Sequence, residues 1–227
     1  MEVTSFDHVA LWTDERDSLA SLLTECLGMH VISRTDAFTL VGGDARQGKV
    51  TLFAAEGPRE QGALEQIVVR VSALDTVRTR LDEAGHAVEE SGTGLEVEGP
   101  GGVPLAVVER PGIGVVDLEG VVLRVPEPAE TADGLVAMGL DRDAGRLHVD
   151  DREVVLRRGE PQEGERPLLN HLAFLVDSAR DVEDEARSRG LEVEDVVDAP
   201  NTLAVFLRGP DGLRLEYVEH KPGFALE

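Results

Sequence analysis

One pattern recurs four times along this chain, and that repetition limits the architecture more than any composition does. In the first copy, residues 6–13 (Phe-Asp-His-Val-Ala-Leu-Trp-Thr) alternate as a half-buried strand does. A helix should follow, with Asp14 as N-cap, Leu19, Leu22, Leu23 and Cys26 on one face, and Gly28 at its end. Strands are then expected at residues 30–34, 37–41 and 49–55. The second copy runs as strand 65–71, a helix opened by Ser72 and Asp75 as a capping box and closed by Gly85, and strands near 87–90, 95–98 and 104–109. A third copy starts with strand 118–125 and helix 128–138, then shows only two strand patterns, at 146–149 and 153–158. The fourth copy is strand 170–176, helix 179–189 and strands near 192–197, 202–207 and 213–219.

Copies two and four share a turn between two alternating apolar runs, Gly99-Pro-Gly-Gly102 in one and Gly209-Pro-Asp-Gly212 in the other. The stretch Pro111-Gly-Ile-Gly114 divides the chain into halves, 1–112 (modules 1–58 and 59–112) and 113–227 (modules 113–166 and 167–227).

Composition narrows the partners. A formal net charge of -23, from 45 acidic against 22 basic residues, repels nucleic acid and anionic membranes. No apolar run approaches the roughly 20 residues that span a bilayer, and the N-terminus lacks a basic stretch ahead of an apolar one. Cys26 is the single cysteine, which excludes disulfide frameworks and multi-cysteine zinc sites and fits a reducing cytoplasm. The glycines at 99–102 and 112–114 precede no helix that could hold a phosphate. A small molecule is the expected partner, and self-association stays open.

The strand, helix, three-strand order, the His-Val-Ala-Leu and His-Leu-Ala-Phe openings at His8 and His171, and the Gly-Pro-Asp-Gly-x-x-x-Glu close ending at Glu216 resemble the vicinal oxygen chelate superfamily of glyoxalases, bleomycin-resistance proteins and extradiol dioxygenases. The resemblance implies an α+β fold in which four βαβββ modules form two open, curled mixed-sheet barrels with helices outside. It also implies metal ligands on the first and last strands of paired modules. The corresponding first-strand residues are His8, Gln66, Gly120 and His171, and the last-strand residues are expected to be Leu52, Ala106, Leu156 and Glu216. If neighbouring modules paired, neither cavity would hold a full set. If modules one and four share a cavity, His8, His171 and Glu216 converge on one divalent ion.

Two imidazoles and a carboxylate on one side of an ion form the facial triad that suits Fe(II), with Mn(II), Zn(II) or Ni(II) as alternatives. The resemblance to hydroquinone ring-cleaving dioxygenases implies an extradiol-type oxygenase for a small aromatic diol, catechol or hydroquinone. Glyoxalase-like isomerase or lyase chemistry, thiol transfer and metal-free ligand binding are the other classes the superfamily offers. Ala10, Trp12, Phe206, Arg208 and Arg214 are expected to line the cavity. Extradiol relatives resemble one another in a tyrosine near the metal, where this chain offers Phe206 and Asp211, and Tyr217 should face the opposite side of its strand. Asp150-Asp151 reads as a hairpin turn, and His30, His86 and His220 as exposed histidines at element ends.

Overall fold

The computed structural model describes residues 1–43, 46–92, 94–114, 116–162, 164 and 166–224. The first module contains β1 (Ser5–Thr13), α1 (Arg16–Ser21), β2 (His30–Arg34), β3 (Phe38–Gly42) and β4 (Lys49–Ala54). The second has β5 (Leu64–Val71), α2 (Leu74–Glu83), β6 (Val88–Ser91), β7 (Gly94–Gly99) and β8 (Val103–Glu109). The third has β9 (Asp117–Val125), α3 (Pro128–Ala137), β10 (Asp141–Asp143), β11 (Arg146–Val149) and β12 (Arg152–Arg158). The fourth has β13 (Leu169–Leu175), α4 (Ala179–Ser188), β14 (Val193–Asp198), β15 (Thr202–Arg208) and β16 (Arg214–His220).

These strands form two mixed sheets of eight, ordered β14-β15-β16-β13-β1-β4-β3-β2 and β10-β11-β12-β9-β5-β8-β7-β6. The fold is thus α+β with two open sheets. Modules one and four share the first sheet, and modules two and three share the second. At each centre the first strands of two modules lie antiparallel, and each is flanked by the parallel last strand of its own module. Turns interlock the modules. Asp211, in the turn after β15, accepts a hydrogen bond from Thr131 of α3. The Tyr217 hydroxyl donates to the Met138 carbonyl at 2.7 Å, so the tyrosine does face away from Glu216. One apolar cluster runs through all four modules, with Leu11 and Leu52, Leu81 and Leu105, Leu123 and Leu135, and Phe174 and Leu215 among its members.

Several local expectations are corrected. Asp14 does not cap α1; Glu15 stands at that position with no side-chain cap, while the Thr13 hydroxyl takes the Glu15 N–H at 3.0 Å. The helix then widens into a π-helical turn, Leu22–Cys26, that keeps Leu22, Leu23 and Cys26 buried. Ser72 forms no capping box with Asp75; the N-cap is Ala73, and Glu109 from β8 accepts the Leu74 N–H at 3.2 Å. Tertiary neighbours here supply the oxygen that a local cap would give. The third module has a strand, β10, where no pattern announced one. Its Asp-Arg-Asp is exposed at the sheet edge, so no apolar alternation marks it.

Candidate metal centre

The site is built on bulges. Between β1 and β13, Phe6 pairs with Phe174 and His8 with Ala173, which leaves Asp7 as an extra residue; Ala10 pairs with His171 and Leu11 with Leu169, which leaves Asn170 as another. A bulge breaks strict alternation, so the extra residue and its successor can serve one site. Asp7 Oδ1 accepts from His8 Nδ1 at 2.6 Å, and Asn170 Oδ1 accepts from His171 Nδ1 at 2.8 Å. Arg214 also donates to Asn170 Oδ1, at 3.3 Å, which fixes that atom as the amide oxygen. With both Nδ1 atoms acting as donors, both neutral imidazoles present an Nε2 lone pair.

Those lone pairs meet the carboxylate. His8 Nε2 lies 3.0 Å from His171 Nε2 and 3.4 Å from Glu216 Oε2, and His171 Nε2 lies 2.8 Å from Glu216 Oε2. Three lone pairs at such separations repel unless a cation lies among them. Donors about 2.1 Å from an ion are about 3.0 Å apart when cis on an octahedron and about 3.4 Å apart on a tetrahedron. The observed spacings match those edges, so the donor set fits a divalent ion. His171 and Glu216 are 3% and 8% exposed. Burial pushes the His171 imidazole down against the pull of Glu216 and so keeps it neutral. Burial alone would push Glu216 up, but the His171 and His8 rings beside it outweigh that and hold it below the usual carboxylate range. Among the described residues, this is the one group of three or more His, Cys, Asp or Glu arranged to hold an ion.

The triad opens into a cavity of about 310 Å³ with Phe38, Leu40, Phe53, Phe206, Val218 and Phe224 on its walls. Phe206 and Phe53 meet the His171 ring edge-on at 5.3 Å and 6.3 Å. A larger groove of about 530 Å³ lies between α3 and β11–β12, away from the triad.

Of the residues expected on the wall, Phe206 is there. Ala10 is instead fully buried between its strand partners His171 and Thr51. Trp12 packs on Phe53 at 5.1 Å beneath Arg59, so it backs a wall residue. Arg208 is drawn outward to Glu194 at 2.9 Å. Arg214 is pinned to Glu194 at 3.0 Å and covers the Phe206 ring at 3.9 Å, which places it behind the wall. Pairing also corrects two last-strand assignments. Ala173, two residues past His171, pairs with Glu216, and Ala10, two past His8, pairs with Thr51; Val122, two past Gly120, pairs with Val155. Thr51 and Val155 are therefore the counterparts of Glu216, not Leu52 and Leu156. Leu52 is buried in the apolar cluster on the other face of β4.

Sequence reasoning passed over Asp7, Lys49 and Asn170 and misplaced His220. Asp7 is 2% exposed and binds Lys49 Nζ at 3.0 Å and His220 Nε2 at 3.2 Å as well as His8. Burial would raise its pKa, but Lys49, His220 and His8 outweigh that and hold the carboxyl well below its usual range. His220 is not a solvated end residue; it lines the cavity and stacks on Phe224. The signal was available, since Glu216, Val218 and His220 share one face at a spacing of two.

Residues 5–107 match the model of the Glyoxalase/Bleomycin resistance protein/Dioxygenase superfamily. The whole chain carries a glyoxalase-type fold. A crystal structure of a putative dioxygenase from Bacillus subtilis aligns with 99% of this chain and 87% of its own, at a TM-score of 0.78 and 20% identity. Glyoxalase I from Zea mays aligns over 95% of this chain and 92% of its own, at 0.76 and 15%. The cppA protein of Streptococcus pneumoniae aligns over 96% and 98%, at 0.65 and 13%. No curated protein matches the sequence. At these identities the likeness is one of fold, and the activities in those names belong to those proteins. No helix among the described residues is long and apolar enough to cross a membrane.

Proposed function

We propose that the chain is a metal-dependent oxygenase of a small aromatic diol, with His8, His171 and Glu216 holding one divalent ion, Fe(II) by preference. The observation that carries this reading is the convergence of three lone-pair donors at 2.8–3.4 Å. Bound there, Fe(II) would supply Lewis acidity toward the diol oxygens and a reductant for O2. The protein's part is positional. Asp7 and Asn170 fix both imidazoles with Nε2 inward. Phe38, Phe53 and Phe206 offer flat apolar walls, and a cavity of about 310 Å³ is at the small end of ligand sites, which suits a single ring.

Anaerobic reconstitution with ferrous iron, followed by air and a panel of catechols and hydroquinones, tests the reading. Oxygen uptake with ring-cleavage absorbance is the expected result. Metal-dependent isomerase or lyase chemistry is the second reading, favoured by one observation. Tyr217, the single tyrosine, donates to Met138 on the far face, and Asp211 is held by Thr131, so neither supplies a phenol or acid at the triad. Diols that perturb a Co(II)-substituted site without O2 uptake would shift the case to that reading.

A further inference from the structure

Asp7 uses its two oxygens on two imidazoles. Oδ1 takes Nδ1 of the ligand His8 at 2.6 Å, while Oδ2 faces Nε2 of His220 at 3.2 Å and Lys49 Nζ at 3.0 Å. The buried Lys49 ammonium makes the ionised carboxylate the stable form, so Asp7 is an acceptor toward both rings. His220 Nε2 is then the donor, the tautomer that leaves the Nδ1 lone pair free to accept. Phe224 stacks on that ring at 3.7 Å between centroids and 2° between planes, which fixes its orientation at the cavity wall. Asp7 thus connects two imidazoles that both line the cavity. Phe38, Leu40, Phe53, Phe206 and Val218 line the space they share and give it an apolar wall.

We propose that the Asp7–His220 pair is a second recognition point for substrate, at which His220 Nδ1 accepts a hydrogen bond from a hydroxyl on the side of the ring away from the chelated oxygen. The near end of this picture rests on the proposed metal reading; the far end rests on the Asp7, Lys49 and His220 geometry. The substrate class is a flat, apolar ring with a metal-binding oxygen at one edge and a phenolic hydroxyl across from it. His220 is the residue that selects for that hydroxyl, and Asp7 and Phe224 position it.

The test uses the whole chain substituted with Co(II), without oxygen, and the probe pair phenol and hydroquinone, which differ only in the distal hydroxyl. Affinities are read from the Co(II) spectrum and from calorimetry. Two equivalent hydroxyls alone favour hydroquinone about twofold, and one hydrogen bond at a buried acceptor raises this to about tenfold or more. The expected result is such a ratio in the parent protein and a ratio near two in His220→Phe, each read on the cobalt-loaded protein. His220→Gln, which restores an acceptor, should recover part of the preference. A ratio near two in the parent protein, or an undiminished ratio in His220→Phe, overturns the proposal. Failure of the metal reading appears separately as absence of bound cobalt, and the calorimetric ratio then still decides the role of His220.

Discussion

In both eight-stranded sheets the central strand pair carries two bulges, with Asp7 and Asn170 as the extra residues in one and Glu65 and Glu119 in the other. The residues that follow them differ in kind. His8 and His171 follow in the first sheet, Gly120 and Gln66 in the second, and the carboxylate position is Glu216 in the first and Ala106 in the second. The bulge carboxylates are also turned to other use. Glu65 meets Arg124 at 3.1 Å, and Glu119 meets Arg110 at 2.9 Å. The bulges therefore belong to the architecture, since they persist where there is nothing to ligate. The triad of the first sheet is carried on that architecture, and a bulge next to a strand position is what lets two adjacent residues serve one site.

The largest expected effect breaks this asymmetry at its source. His171→Ala or Glu216→Ala should lower divalent-metal affinity by more than about a hundredfold, since each removes one of three donors. Gln66→Ala should leave it unchanged. Metal analysis after dialysis should give one ion per parent chain; two ions at full occupancy would show that the second sheet also binds. Loss of a donor's partner comes next. Asp7→Asn should weaken metal binding by about ten- to a hundredfold, the usual cost of altering the group that orients a ligating histidine. An affinity within threefold of the parent, measured by competition with a chromophoric chelator, would show that Asp7 does not act through His8.

Much of this was legible. The repeated openings at His8 and His171 and the Gly209–Gly212 turn ahead of Glu216 are local patterns, and repetition supplied their register against one another. Bulges are not local patterns. They are properties of how β1 pairs with β13, so Asp7 and Asn170 read as ordinary neighbours of a histidine until the partner strand is known. The same ignorance of pairing placed Leu52 and Leu156 where Thr51 and Val155 stand, since one residue of slip exchanges the faces of a strand. His220 reads as exposed from its place at the end of an element, yet Phe224 folds back to cover it. The π-helical turn at Leu22–Cys26 has no sequence signature that separates it from the α-helix preceding it.

Stability should follow the comparison as well. At Gly120, the position corresponding to His8, an added Cβ would lie 2.0 Å from the Glu153 carbonyl oxygen on β12. Gly120→Ala should therefore cost about 3 kcal/mol in denaturant unfolding, because the obstacle is backbone and cannot swing aside. A histidine could not simply be restored there. A Gly120→His, Gln66→His, Ala106→Glu triple variant should unfold more readily and still bind one ion. A second ion in that variant, with unchanged stability, would show that the second sheet differs from the first only in its side chains. Tyr217→Phe should cost less, about 1–2 kcal/mol, from the unpaired Met138 carbonyl left inside.

The smallest effect concerns the arginines on β15 and β16, where two residues close in sequence and sharing one partner should behave differently. Both bind Glu194, Arg208 at 2.9 Å and Arg214 at 3.0 Å. Arg208 has a half-exposed side chain, so its ion pair is screened and Arg208→Ala should change stability by no more than about 0.5 kcal/mol. Arg214 also lies over the Phe206 ring and donates to Asn170 Oδ1, the atom that fixes the His171 tautomer. Arg214→Ala should leave unfolding nearly as unaffected as Arg208→Ala, yet shift the spectrum of a Co(II)-substituted site and weaken the metal by a few fold. Identical Co(II) spectra for the two variants would show that Asn170 holds His171 without help, and the chain of influence on the triad would then end at the bulge residue.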